Sequence, residues 1–440
     1  MTHNIATYSL IALTAAQVTL AASHLAPIAE PRTGNVIFLH PDGASVSHWT
    51  AARIATTGPD GMLHWDRLPH MAVYRGHMKN ALAATSHGGA TTHAFGRKVN
   101  ADSYGMDRDQ PLIALSGQPM SIMREALAAG LAVGVVNSGN LDEPGTGVFL
   151  ASARRRTDGA EIARQIVLSG AHVILCGGER WLLPVGVVGR HGEGARTDGL
   201  DLIAEARNRG YAVVYTRAEM AALPEDTRRV LGVFAHHHTF NDRPEEELQE
   251  KGLPLYAPDA PTVGEMTAAA LAILSRHGVR FLLVAEEEGS DNFGNVNNAA
   301  GTLEALRRAD EAYRVARDFL RQHPDTLLLT ASDSDASGLQ VIAFPPEFQG
   351  RPLPPATRNG APLDGRSGTG TPPFLSAPDS AGQRLPFGIA WTGFEDGAGG
   401  ILARADGINA EALRTGSLDN TDIYRLMYLT LFGRLPDGNP

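Results

Sequence analysis

Seven short runs of apolar residues, at 35–40, 132–137, 172–177, 211–215, 230–235, 280–286 and 325–331, recur along the chain almost without polar interruption. A strand with one wet face alternates apolar and polar residues, whereas a strand covered on both faces is apolar throughout. Between the runs lie segments with apolar residues at helical spacing, at 121–129, 159–168, 199–209, 263–277 and 300–322. Strand alternating with helix predicts an α/β chain: a mainly parallel sheet with helices on both faces. The 440 residues, 43% of them hydrophobic, are enough to fill such a core.

In sheets of this kind, ligands bind beyond the carboxyl ends of the strands, so the residues that follow each run carry the functional signal. The run at 35–40 leads into Pro41-Asp42-Gly43, that at 280–286 into Glu286 and Asp291, and that at 325–331 into Ser332-Asp333-Ser334-Asp335. The run at 132–137 precedes a segment with Glu143. One carboxylate at a loop start is ordinary. Carboxylates converging from three strands repel one another and titrate upward unless a cation neutralises them, so the pattern points to a metal cluster. A second signal is the small, hydroxyl-rich segment 84–93, which leads into a helix. Ser86 there is either a helix cap and turn or a nucleophile placed where a helix N-terminus favours an anion. His87 and His93 flank it, as packing groups or as a general acid.

Composition removes other classes. The net charge of −10 leaves no basic footprint for nucleic acid. The single cysteine, Cys176, excludes an intramolecular disulfide and a cysteine zinc site, and its apolar run makes it a buried small hydrophobe. Arg154-Arg155-Arg156 is a solvated face or a phosphate clamp. The consecutive histidines 236–238 cannot all point the same way and read as a turn with one ring near the site. Residues 8–22 are mostly apolar and end in small residues, as a secretion leader over 1–23 would. This predicts a soluble mature chain, periplasmic or secreted, with one catalytic domain over 30–440. The Pro- and Gly-rich stretch 345–386 reads as a long surface loop.

Taken in order, these motifs resemble the alkaline phosphatase family over about 35–433. Pro41-Asp42-Gly43 resembles the family's Gly-Asp-Gly, and Thr85-Ser86 its Asp-Ser, with the serine as nucleophile. Residues 281–299 resemble the segment that supplies a magnesium-ligand Glu (Glu286) and a zinc-ligand Asp (Asp291). Residues 330–333 resemble Thr-Ala-Asp-His. The resemblance implies a three-layer α/β/α sandwich, metal-dependent hydrolysis of phosphate monoesters through a phosphoserine on Ser86, a small phosphate-ester substrate and a homodimer. It implies metal ligands among Asp42, Glu286, Asp291, Asp333, Asn295, Asp335 and Glu143, with Arg156, or Arg155 on a match slipped by one, on the phosphate.

The departures are systematic. The family's histidine four residues after the zinc-ligand Asp is Asn295, its Asp-His pair is Ser332-Asp333, and its late histidine falls at Gly368 or a neighbour. The Asp before the nucleophile is Thr85, and the family's Asp-x-Thr or His-x-Thr magnesium segment is Glu143-Pro144-Gly145, or starts at Asp142 on the match slipped by one. Oxygen donors suit hard cations, so the expected cofactors are divalent metal ions, Mg²⁺ foremost, with Zn²⁺, Ca²⁺ and Mn²⁺ as alternatives. The rival readings are a phosphodiesterase or other ester hydrolase of the same superfamily, and a non-catalytic homologue that binds phosphate or metal.

Overall fold

All seven apolar runs become strands, and the seven lie side by side. The computed structural model describes residues 24–436; the leader predicted over 1–23 lies outside them. One ten-stranded sheet contains β1 (Asn35–Pro41), β2 (His70–Arg75), β3 (Ala132–Asn140), β4 (Val173–Gly177), β5 (Ala212–Val214), β6 (Val230–Val233), β7 (Phe281–Glu287), β8 (Thr326–Thr330), β9 (Ile401–Gly407) and β10 (Ser417–Asp419). Their order is β10-β2-β9-β8-β1-β7-β3-β4-β6-β5. From β8 to β5 every neighbour is parallel. Only β9 runs against the rest.

Successive residues of β1 face opposite layers, as the pleat requires. Val36 and Phe38 join an apolar layer with Phe149, Ile162, Tyr424 and Met427. Ile37 and Leu39 join the other, with Trp49, Leu271, Leu306 and Tyr313. The fold is thus mixed α/β around a large, mostly parallel sheet, with helices on both faces. Among the described residues no helix is long and apolar enough to cross a membrane.

Two readings need correction. No unbroken apolar run marks β2, β9 or β10, because they are only half covered. Met71 and Val73 of β2 face solvent while Ala72 and Tyr74 are buried. The stretch 345–386 is not a bare loop. Strands Leu363–Gly365, Gly368–Thr369 and Phe374–Leu375 form an antiparallel sheet with Gln340–Ala343 and Pro386–Ala390. Strands this short have no periodicity to detect, and Asp364 ties them by accepting from Trp391 Nε1 at 2.6 Å and Thr369 Oγ1 at 2.8 Å.

The helix Ala299–Gln322 is fastened to the segment before β2 by Asp310, which accepts from the backbone N–H groups of His64 (3.1 Å) and Trp65 (2.9 Å). Asp310→Ala strands two N–H donors and is expected to cost about 2–3 kcal/mol; Asp310→Asn, which keeps an acceptor, costs less. Urea unfolding of the two variants measures the difference.

Candidate metal centre and active site

The centre lies at the carboxyl ends of four adjacent strands, β8, β1, β7 and β3. Register places His40 of β1 opposite Glu286 of β7, and Glu286 opposite Asn137 of β3. Asp42 follows β1 directly, and Gly43 then turns the chain with φ +65°, a conformation that a side chain resists. Glu288 and Asp291 come from the turn and the helix Gly289–Asn295 that follow β7. Asp333 comes from the loop after β8. Asp42, Glu286, Glu288, Asp291 and Asp333 are all buried.

Glycines make room for these side chains. A Cβ on Gly145 would overlap the Glu286 carboxylate, and one on Gly89 would overlap Asp333. Gly145 stands where the family resemblance puts a threonine, so Glu286 fills that side chain's space. Glu286 Oε2 accepts from Asn137 Nδ2 at 2.5 Å, and the same amide reaches Thr146 Oγ1 at 2.9 Å.

Burial first, and neighbouring carboxylates second, push Asp42, Glu286, Glu288 and Asp291 far above the ordinary carboxylate range, whereas at Asp333, despite burial, the Asp42 side chain and the imidazoles of His40 and His93 shift it down. Asp42 is raised by Asp333, Asp291 and Glu288; Glu286 by Glu143 and Asp333; Glu288 by Glu143, Glu286 and Asp291; Asp291 chiefly by Asp396. Both oxygens of Asp42 and of Asp333, Glu286 Oε1 and Glu288 Oε2 are buried without a hydrogen-bond partner. Donor atoms of His40, Asp42 and Glu286, and separately of Asp42, Glu288 and Asp291, lie within 4.8 Å of one another. Buried anionic oxygens that nothing in the protein satisfies fit a divalent cation.

The other candidate residues separate clearly. Glu143 pairs with Arg156 (Oε2 to Nη2, 2.8 Å), and Arg156 lies in the field of Glu288 and Asp42. Arg155 instead points outward, 77% exposed, and pairs with Asp158; the slipped match that would place it on the phosphate is therefore corrected in favour of Arg156. Asn295 reaches the centre as a donor, with Nδ2 3.0 Å from Asp291 Oδ1 and 3.1 Å from Asp396 Oδ1, while its Oδ1 accepts from Ser337 Oγ. Asp335 sits on the Asp396 side, 3.4 Å from His48 Nδ1, rather than against Asp42.

Three groups in the centre escaped the sequence reading: His40, Glu288 and Asp396. Asp396 stands beside Asp291, bridged to it by Asn295; Gly368, where the resemblance puts the late histidine, lies in the small sheet against Glu246. The signal available for Asp396 was its position just before β9, an alternating strand with no apolar run to flag it. Of the three consecutive histidines, His238 alone is buried, 3.9 Å from Glu143 Oε1.

Ser86 opens the helix Ser86–Phe95. Thr85 caps it, accepting from Gly88 N at 3.3 Å, so Ser86 is in the first turn, where N–H groups are unsatisfied and an anion is favoured. The helix start lies over the cluster: Gly89 packs on Asp333, and His87 feels Arg156 and Asp333. His93 is committed to packing, with Nε2 2.7 Å from Tyr74 Oη.

The sequence model of alkaline phosphatase matches residues 33–347. This chain belongs to the alkaline phosphatase family. It is 25% identical over 371 residues to the alkaline phosphatase of Escherichia coli (strain K12), covering 74% of this chain and 75% of that one. It is 28% identical over 338 residues to the membrane-bound alkaline phosphatase of Bombyx mori, covering 68% of this chain and 59% of that protein. The chain spans about three fifths of the length of these animal relatives, 62% in the case of the tissue-nonspecific isozyme of Rattus norvegicus. Among solved structures, the alkaline phosphatase of Thermus thermophilus superposes with a TM-score of 0.72 at 24% identity, covering 96% of both chains. That of the Antarctic bacterium TAB5 gives 0.68 at 18% identity, over 91% of this chain and 99% of that one. Alkaline phosphatases use divalent metals, and the partnerless oxygens above are where this member of the family would hold them.

Burial pushes Glu143 to about 7 and Asp142 to about 6. Groups raised in the folded state stabilise it fully below their unfolded pKa and cease to as pH rises through the folded one. The metal-free protein should therefore lose stability between pH 5.5 and 8, by at least about 2 °C in Tm. A saturating divalent cation should flatten that slope, and so should Glu143→Gln. Thermal scans across pH with and without chelator test this.

Proposed function

We propose that the protein hydrolyses phosphate monoesters at this centre through a phosphoserine on Ser86. The observation that carries the proposal is the meeting of a helix-opening serine, a partly exposed guanidinium and a cluster of buried, unsatisfied carboxylates. Divalent cations held by Asp42, Glu286, Glu288, Asp291 and Asp333 would supply positive charge to the phosphate oxygens and lower the pKa of a hydroxyl and then of a water. The helix N-terminus favours the phosphate anion beside Ser86. The Ser86 oxygen attacks phosphorus, the bond to the leaving-group oxygen breaks, and that oxygen leaves with a proton. Arg156 offers paired N–H donors to the equatorial oxygens as their charge grows. Water then attacks the same phosphorus from the vacated side, returning Ser86 as its hydroxyl and releasing inorganic phosphate. Burial first, and then Arg156, lower His87 to about 4, so its ring is neutral at alkaline pH.

An exported location, periplasmic or secreted, suits the apolar stretch at 8–22.

Hydrolysis of p-nitrophenyl phosphate at alkaline pH should vanish on chelation and return when a divalent metal is restored. Ser86→Ala should lower kcat at least about a thousandfold. Arg156→Ala should cost about 10²–10³, while Arg155→Ala stays within about twofold of wild type, because its side chain is solvated. Faster turnover of bis(p-nitrophenyl) phosphate would establish a diesterase instead. Phosphate binding without turnover under every metal would establish a binding homologue.

A further inference from the structure

His40 belongs to none of the motifs that mark the family, yet it stands in the middle of the centre. It stands near the carboxyl end of β1, two residues before Asp42, and the two side chains approach to 3.9 Å. Its ring is 1% exposed. Nδ1 lies 2.9 Å from the backbone oxygen of Ala331. A carbonyl only accepts, so Nδ1 carries the hydrogen, and in the neutral ring Nε2 presents a lone pair. That lone pair has no hydrogen-bond partner. It faces Glu286 Oε1 at 3.8 Å, Asp42 Oδ1 at 3.9 Å and Asp333 Oδ1 at 4.0 Å.

A lone pair aimed at three carboxylate oxygens is repulsive. Protonating Nε2 would reverse the sign but would not make a hydrogen bond, because every separation exceeds the 3.2 Å or so at which such bonds form. A cation among the four groups removes both difficulties. Two ligands with bonds of about 2.0–2.2 Å to one ion stand roughly 3–4 Å apart, which is the spacing seen. The Nδ1–H to carbonyl bond is also the arrangement that fixes the tautomer and orientation of a ligating imidazole. The ring has little freedom to turn away. His93 packs edge-on at 5.6 Å between centroids, its own Nε2 held by Tyr74, and Phe38, itself against His93 at 5.3 Å, packs on the ring at 5.9 Å.

We infer that His40 Nε2 is a ligand of the cation held by Asp42 and Glu286, an inference that rests on the metal-dependent reading above. The centre is then chemically divided. The His40 end offers a nitrogen donor and takes a borderline cation such as Zn²⁺. The end formed by Glu288, Asp291 and Asp396 offers only oxygens and takes a harder one.

Direct metal binding tests this without reference to turnover. Metal-free wild type, His40→Leu and His40→Gln would be titrated with Zn²⁺ and, separately, Mg²⁺ by calorimetry, and the zinc-loaded forms examined by X-ray absorption at the zinc edge. Wild type should show imidazole scattering, and both variants should lose it. Zinc affinity at the tighter site should fall at least about tenfold in His40→Leu, while Mg²⁺ affinity changes less than about threefold. His48→Ala, which removes the neighbouring buried imidazole beside Asp335, should leave the signal in place. His40→Gln, which keeps a polar side chain of similar reach, carries the comparison should the leucine variant not fold. A wild type that binds zinc with oxygen scatterers alone, or a variant with unchanged spectrum and affinity, overturns the role of His40 and leaves the metal-dependent reading standing. A wild type that binds neither ion overturns both.

Discussion

Carboxylates with the same charge, buried within a few ångströms of one another, are the constraint to which the rest of this structure answers. At 4 Å and an effective dielectric of about 20, each such pair repels by about 4 kcal/mol. Asp42, Glu286, Glu288, Asp291 and Asp333 together make several of these contacts, and their partnerless oxygens have no internal donor to offset them. Only protons or cations can. The same repulsion that would unravel the apo centre at high pH is what makes it a strong cation trap, so metal binding and folding are coupled here.

The frame that tolerates this is stiff. Seven parallel strands with both faces covered give the carboxyl-terminal edge almost no freedom, and three adjacent strands, β1, β7 and β3, fix where His40, Asp42, Glu286 and Asn137 project. Around that edge the chain removes obstacles rather than adding contacts. Gly43, Gly89 and Gly145 yield space to Asp291, Asp333 and Glu286. Asn295 then links Asp291, four residues before it, to Asp396, 101 residues after it. A site of this kind is preorganised by packing, with few internal hydrogen bonds to break when a ligand arrives.

Within the alkaline phosphatase family the chain keeps the framework and changes the donors. Carboxylate and amide groups stand where the resemblance places histidines, at Asp333 and Asn295, and Asp396 completes the group beside Asp291. The loss of nitrogen is not complete, because His40 brings an imidazole back from a different strand position. Which cation a centre prefers follows from the donor set assembled in space, and motif-by-motif matching sees only donors that are lost.

How much could be read beforehand follows from range. The seven strands, the mainly parallel sheet and the acids at several strand ends are legible locally, as apolar runs alternating with helical segments and, for several runs, a polar break directly after. Asp42 was flagged by the same kind of break after β1, and Ser86 by the small, hydroxyl-rich segment 84–93. The half-covered strands β2 and β9 were not, since alternation over a few residues is a weak signal, nor was the small sheet built from two- to five-residue strands. His40 could not be recognised because a histidine inside an apolar run reads as a core residue until the register sets it opposite Glu286. Arg155 and Arg156 are equivalent in sequence; only the path of the loop after β3 turns one to solvent and the other to Glu143. The sequence by itself determined the sheet, its covered faces and the edge where charge accumulates, because hydrophobic periodicity is written residue by residue. The tertiary structure decided which charged groups meet, because residues far apart in the chain are brought within 4 Å only by strand register and loop direction.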